Sequence, residues 1–179
     1  MIRRLAPLSI VAVALSIALA ARADEPPSFL PFEARSANGR FVAAVARDGE
    51  RWTLAVHEVG EAGARTERWR CEYRYTGYAG ALVSDDGRTV VYVEVWYGDD
   101  HPAIEIYREG KKVASIPGRD VPFDRAKMRT TASHRLWLLD GGALYGRSAA
   151  FDAAGRLVVR TGDGRRHVFD PATGERMRD

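Results

Sequence analysis

The stretch Ser84-Asp85-Asp86-Gly87-Arg88, followed by an apolar run from Thr89 to Tyr97, indicates the fold of this chain most directly. Two further turns of the same kind, Ala37-Asn38-Gly39-Arg40 and Ala153-Ala154-Gly155-Arg156, also lead into runs of Phe, Val, Leu or Tyr. A glycine between two apolar runs is typical of a tight β-hairpin, because glycine tolerates a left-handed backbone. The repetition predicts an antiparallel, all-β architecture built from successive hairpins.

The segment after the first hairpin has the clearest strand pattern in the chain. Four apolar side chains alternate there with charged ones: Trp69, Cys71, Tyr73 and Tyr75. Alternation with a period of two predicts a β-strand with one buried face, since a helix would spread these residues around its axis. The same pattern favours Cys71 as a small buried apolar residue rather than a nucleophile.

The remainder of the chain reads as further strands separated by turns. The run Thr89 to Tyr97 has Glu94 as its only charge, which predicts a central strand buried on both faces. Strands are expected to follow up to Ile116, and the pattern is lost from Pro117 to Thr131. Short strands are predicted again near residues 149–152, 157–161 and 166–169.

Two of these stretches resemble bacterial β-propeller repeats. Ser84 to Arg88, followed by Val90, Val91 and Tyr92, resembles the Ser-Pro-Asp-Gly-Arg/Lys turn before an inner strand of TolB-type repeats. Val168 to Gly174 resembles the outer-strand turn of quinoprotein-like repeats. The resemblance implies propeller-like blades of antiparallel strands. Quinone binding is not implied, because Glu175 to Arg178 follow where the quinoprotein pattern has a Trp, and we expect no cofactor.

The spacing of the turns sets how many blades the chain can hold. Gly87 follows Gly39 by 48 residues, but Gly155 follows Gly87 by 68, whereas such blades repeat about every 40–50 residues. The second interval must contain an insertion or a degenerate unit around Leu136 to Tyr145. Three alternatives remain open: a small closed or incomplete propeller, an open twisted sheet or β-sandwich, and a partial propeller completed by a second copy.

Residues 1–23 have the features of a secretory signal peptide. Arg3 and Arg4 precede an apolar run from about Leu8 to Leu19, and small residues follow up to Ala23. We therefore predict a periplasmic or extracellular protein with one all-β domain at residues 24–179 and no membrane attachment after cleavage. An uncleaved membrane anchor is the alternative, although the apolar run is short for a spanning helix.

The charge of residues 24–179 argues against a nucleic-acid partner. Three of the 27 Lys and Arg residues lie in the signal, so the rest equal the 24 Asp and Glu residues in number. A basic footprint requires clustered excess charge on one face. A single cysteine also excludes an internal disulfide.

One turn has side chains that could bind a ligand. Asp99, Asp100 and His101 end a strand, and two carboxylates with an imidazole could hold a divalent cation. The neighbouring Trp96 and Tyr97 are the candidate ligand or partner surface, although strand aromatics are more often core residues.

No nucleophile, base and orienting group occur together in the sequence, so we predict a protein without catalytic residues. Our first hypothesis is an exported β-repeat protein that binds a protein partner, or a second copy of itself through sheet edges, in the cell envelope. The alternative is a small metal- or carbohydrate-binding domain, or a hydrolase, with a site near residues 98–102.

Overall fold

Strands and tight turns form the regular structure of the protein in a computed structural model, which describes residues 28–77, 80–132, 134–140 and 148–178. The described residues contain no α-helix, only 3-10 turns at Glu61–Gly63, Gly118–Asp120 and Arg125–Lys127. The first sheet comprises β1 (Phe32–Arg35), β2 (Phe41–Asp48), β3 (Arg51–Val59) and β4 (Arg65–Glu72). The second comprises β5 (Leu82–Val83), β6 (Thr89–Val93), β7 (Pro102–Arg108) and β8 (Lys111–Pro117).

Two more sheets complete the described structure. A small sheet pairs β9 (Arg129–Thr130) with β10 (Arg135–Leu136). The third four-stranded sheet comprises β11 (Ala149–Phe151), β12 (Leu157–Arg160), β13 (Arg166–Phe169) and β14 (Arg176–Met177). In each four-stranded sheet the strands follow one another in chain order and pair antiparallel, and none of the sheets closes into a barrel. The prediction of an all-β, antiparallel fold is confirmed.

One turn geometry joins the first and second strands of all three large sheets. In the second sheet, Gly87 N donates to Ser84 O at 2.9 Å and Gly87 has a φ of 69°. The Asp86 carboxylate accepts hydrogen bonds from Ser84 Oγ at 2.6 Å and from Arg88 N at 3.0 Å. This arrangement explains the repeated motif, because the glycine takes the left-handed conformation and a side chain one or three positions before it accepts hydrogen bonds from turn donors: Asn38, Asp86 and Asp152.

The second sheet lies between the first and third four-stranded sheets, and its two faces carry different kinds of side chain. Toward the first sheet it presents Val90, Tyr92 and Tyr107. These side chains pack with Phe41, Val45, Leu54 and Val56 of the first sheet and with Tyr73 and Tyr75, which follow β4, in a contact that we call the tyrosine interface. Toward the third sheet it presents branched aliphatic side chains, which form the aliphatic interface: Val91, Val93, Ile104 and Ile106 pack with Trp137, Leu157, Val159 and Phe169. The alternation of side chains along β6 and β7 therefore separates two chemically distinct cores.

The connection between the second and third sheets carries the extra residues of the long repeat interval. It packs Val121 and Trp137 into the aliphatic interface. Isolated bridges join Leu136 to Trp96 on one side and Leu138 to Thr161 on the other. The strand pattern of the sequence is lost after Pro117 because this connection consists of short 3-10 turns and the two-residue strands β9 and β10.

The predicted strand from Thr89 to Tyr97 is too long, because β6 ends at Val93 and Trp96 pairs instead with the connection. The predicted signal peptide, residues 1–23, lies outside the described residues. Within the described parts of the chain, no helix has the length and hydropathy needed to span a bilayer.

Candidate functional site

The predicted ligand surface at Trp96 and Tyr97 is engaged in packing within the protein. The Trp96 ring stacks on His134 with centroids 4.0 Å apart. Tyr97 receives the edge of Phe123 at 5.3 Å, and the Arg125 guanidinium lies 5.6 Å from its ring centroid. Both side chains are half-buried. Their role as a partner surface remains a prediction.

The adjacent carboxylates are paired with arginines. The Asp99 carboxylate accepts a hydrogen bond from Tyr97 Oη at 2.8 Å and forms an ion pair with Arg125 at 2.7 Å. Asp100 forms an ion pair with Arg119. Across the residues that the structure describes, no three His, Cys, Asp or Glu side chains are grouped as a metal site would require. The metal site at Asp99, Asp100 and His101 remains a prediction.

Two buried glutamates form a polar network in the tyrosine interface. Glu94 is 6% exposed and Glu105 is 1% exposed. Tyr92 Oη donates to Glu94 at 2.7 Å, and Tyr107 Oη donates to Glu105 at 2.7 Å. Tyr92 also lies directly opposite Glu105 in the register of β6 and β7. The sequence pattern Tyr-x-Glu on one strand and Glu-x-Tyr on the next places all four groups on one face.

A lysine reaches Glu105 from the sheet surface. Lys112 Nζ lies 3.1 Å from Glu105 Oε1, although the lysine side chain is half exposed. Burial raises the pKa of the Tyr107 hydroxyl well above its usual range, and the neighbouring Glu105 carboxylate acts in the same direction. Tyr107 thus remains a neutral hydrogen-bond donor to Glu105. This arrangement satisfies a buried charge, as a stable core requires.

Cys71 lies at the margin of the same interface. It is partly buried against the aromatic core, and burial raises the pKa of its thiol to about 11. Since the thiolate is the reactive form, this environment suppresses nucleophilic chemistry at neutral pH. The structure thus supports the interpretation of Cys71 as an apolar packing residue.

A second site lies at the far edge of the third sheet, where arginines line an open groove of about 480 Å³. Its principal lining residues are Arg165, Arg166, His167, Arg176, Met177 and Arg178. Arg165 Nε lies 3.1 Å from Asp163, and Arg166 lies 3.8 Å from Asp152. Arg176 and Arg178 have no carboxylate within ion-pair distance among the described residues. We call this feature the arginine groove.

Sequence reasoning missed both the buried network and the arginine groove. Glu94 stood out as the only charge of its strand, but Glu105 did not, and the paired Tyr-Glu spacing was the available signal. The groove residues are separated in the sequence by the turn between β13 and β14, so only the antiparallel pairing of these strands brings them together. His167 is buried at 5% exposure and lies opposite Val159 in the register.

Comparison with known proteins identifies no relative of this chain: no protein-family model, curated protein or solved structure matches it.

Proposed function

We propose that the protein is an exported, non-catalytic binding protein of the cell envelope, built from propeller-like blades and acting on a protein partner. The observation that carries this proposal is the threefold use of one unit. Each large sheet is a four-stranded meander that starts with the same turn, and the short strand β5 lies next to both β1 and β11. First strands gathered together with meanders stacked around them are typical of blades arranged about an axis.

The distribution of reactive groups supports a binding role. Asp99 and Asp100 form ion pairs with arginines. The buried Glu94 and Glu105 carboxylates accept hydrogen bonds from tyrosine hydroxyls. The arginine groove is lined mainly by guanidinium groups, and His167, the imidazole among its lining residues, is buried at 5% exposure. Such a surface favours recognition over chemistry.

The alternative, a metal- or carbohydrate-binding domain or hydrolase at residues 98–102, gains no support from these contacts. Its two carboxylates would have to leave Arg119 and Arg125 to reach an ion.

The proposal is tested by export and by crosslinking in intact cells. Full-length protein should appear in the periplasm or the medium, whereas a variant without residues 1–23 should remain in the cytoplasm. A photoreactive amino acid placed at the exposed apolar positions Leu30, Val113, Leu139 and Met177 should give a discrete, saturable product with one protein. That protein, once identified and purified, should bind the mature chain at a fixed stoichiometry.

The matched control is the same photoreactive residue at Glu50, in the exposed turn between β2 and β3. Equal products at Glu50 and at the apolar positions, or no product at any of them, would contradict a specific protein partner. Cytoplasmic retention of the full-length protein would contradict export.

A further inference from the structure

The arginine groove brings together more positive charge than the carboxylates beside it balance. The edge strand β4 of the first sheet also contains several arginines, but each has a carboxylate partner: Arg65 with Glu33, Arg68 with Glu58, and Arg70 with Glu67. The groove has four guanidinium groups, of which Arg176 and Arg178 have no such partner among the described residues. An unpaired guanidinium favours a carboxylate or phosphate ligand.

The groove follows a free sheet edge. Strand β14 pairs with β13 through Val168–Met177 and Phe169–Arg176, and it is the last strand of its sheet in the described structure. An edge strand presents backbone N–H and C=O groups to any extended chain that approaches it. The other two outer edges are less accessible, since β4 is covered by paired charges and β8 begins with two lysines and ends at Pro117.

The groove also contains an apolar contact. Met177 is 42% exposed and lies between the two unpaired arginines in the sequence, and Pro122 also lines the groove. An exposed methionine adapts to varied apolar side chains. A polyanionic sugar or a free phosphate would use the arginines but neither the methionine nor the backbone edge, whereas an extended peptide with alternating acidic and apolar residues would use all three.

We propose that the arginine groove binds an extended acidic segment of the partner protein, which adds as a strand to β14 and pairs its carboxylates with Arg176 and Arg178. This inference rests on the proposed function, because it names the surface and the chemistry of the protein partner. The acidic side chains of the bound strand face the arginines, and the residues between them contact Met177.

Titration of the mature protein with three fluorescent peptides tests the proposal by anisotropy. The first alternates glutamate with valine, the second replaces every glutamate with glutamine, and the third is the first with alternate backbone nitrogens methylated. The acidic peptide should bind, and its affinity should fall as salt is added. Both altered peptides should bind at least about tenfold more weakly, because one loses the ion pairs and the other loses the strand hydrogen bonds.

The variant Arg176→Glu/Arg178→Glu should weaken binding of the acidic peptide at least about tenfold. A matched control, Arg47→Glu/Arg129→Glu, reverses two exposed arginines that also have no ion pair among the described residues, and should change affinity less than about twofold. Thermal unfolding of both variants verifies that they fold.

Other outcomes would overturn the inference. If the methylated peptide binds as well as its parent, or if polyphosphate competes while no peptide binds, the groove is a general anion site and the strand-addition proposal is wrong. Crosslinking to a protein from Leu30, Val113 or Leu139 without peptide binding would leave the proposed function standing and remove only this site. If neither the crosslinking nor the peptide titration gives the expected result, both the proposed function and this inference are wrong.

Discussion

Both faces of the second sheet are buried against a neighbouring sheet, but the side chains that cover them differ in chemistry. The aliphatic interface buries branched side chains and Trp137, and its contacts have little directional preference. The tyrosine interface buries four tyrosines together with Glu94 and Glu105, and its hydroxyls and carboxylates must meet at hydrogen-bond distance. Dispersion and the burial of apolar surface stabilise the aliphatic interface, whereas hydrogen-bond geometry constrains the tyrosine interface.

The difference predicts how each interface responds to substitution. Removal of apolar bulk should destabilise the aliphatic interface in proportion to the volume lost. In the tyrosine interface the loss of a single hydroxyl should leave a buried carboxylate short of a donor, so the effect should depend on hydrogen bonding and pH. Substitutions at Trp137 and Tyr107 test this contrast, and substitutions at Gly87 and Asp85 test the turn that links the second sheet to the first.

Trp137→Ala should have the largest effect. Trp137 is fully buried in the aliphatic interface, so its removal should lower the free energy of unfolding by about 3–5 kcal/mol, measured by urea denaturation. Trp137→Phe keeps most of the apolar volume but loses the hydrogen bond from Nε1 to Glu94 O at 2.7 Å, and should cost less. Equal losses for the two variants would mean that hydrogen bonding, not packing, dominates this interface.

Gly87→Ala should follow, because the turn of the second sheet lies against Phe41 of the first. A Cβ at Gly87 would lie 2.2 Å from Phe41 Cδ1, and the φ of 69° adds strain. The expected loss is about 2–4 kcal/mol, which combines overpacking with a left-handed alanine. The measurement is again urea denaturation.

Gly155→Ala is the matched control for that substitution. Gly155 occupies the same place in the turn of the third sheet with a φ of 75°, but no atom lies within 4 Å of its added Cβ. It should therefore cost only the backbone strain, about 1–2 kcal/mol. If Gly155→Ala costs as much as Gly87→Ala, the close contact with Phe41 contributes nothing.

Tyr107→Phe should reveal the pH dependence of the tyrosine interface. Loss of the hydroxyl that donates to Glu105 should cost about 1.5–3 kcal/mol near neutral pH. Burial raises the pKa of Tyr107 in the folded state, so the neutral hydroxyl stabilises the fold fully below the ordinary tyrosine pKa of 10.0. That contribution should be lost as the pH rises above this value, because the unfolded chain then releases the proton more readily.

Above that pH the wild-type protein should therefore lose stability faster than Tyr107→Phe. The difference between their free energies of unfolding should narrow as the pH rises. Urea denaturation at a series of pH values, with tyrosinate absorbance as a second probe, measures both effects. A gap that stays constant with increasing pH would contradict the raised pKa of Tyr107.

Asp85→Ala should have the smallest effect. Its carboxylate accepts a hydrogen bond from Asn38 N at 2.8 Å, which ties the turn of the second sheet to that of the first at an exposed site. Alanine occupies the corresponding position in the other two turns, at Ala37 and Ala153, so the turn itself should form normally. The expected loss is about 0.5–1.5 kcal/mol, whereas Ala153→Asp should change stability by less than about 0.5 kcal/mol. A larger loss for Ala153→Asp would show that the turns are not interchangeable.

The candidate sites show where sequence reasoning stops. The turns, the strand alternation at Trp69 to Tyr75 and the packing of Cys71 are local features, and each was predictable from neighbouring residues. The Tyr92–Glu94 and Tyr107–Glu105 pairs lie side by side only after β6 and β7 pair in a particular register. The arginine groove requires β13 and β14 to fold back on each other and Pro122 to approach from the connection.

The sequence by itself determined that the chain forms antiparallel strands, that three equivalent glycine turns join pairs of them, and that apolar side chains alternate with polar ones along some of them. These properties follow from backbone sterics and the two-residue period of a strand, both of which act over a few residues. Only the tertiary structure decided that the second sheet lies between two unlike cores and that unpaired arginines gather at β14. Contacts between residues far apart in the chain depend on strand register and sheet stacking, which local preferences do not specify.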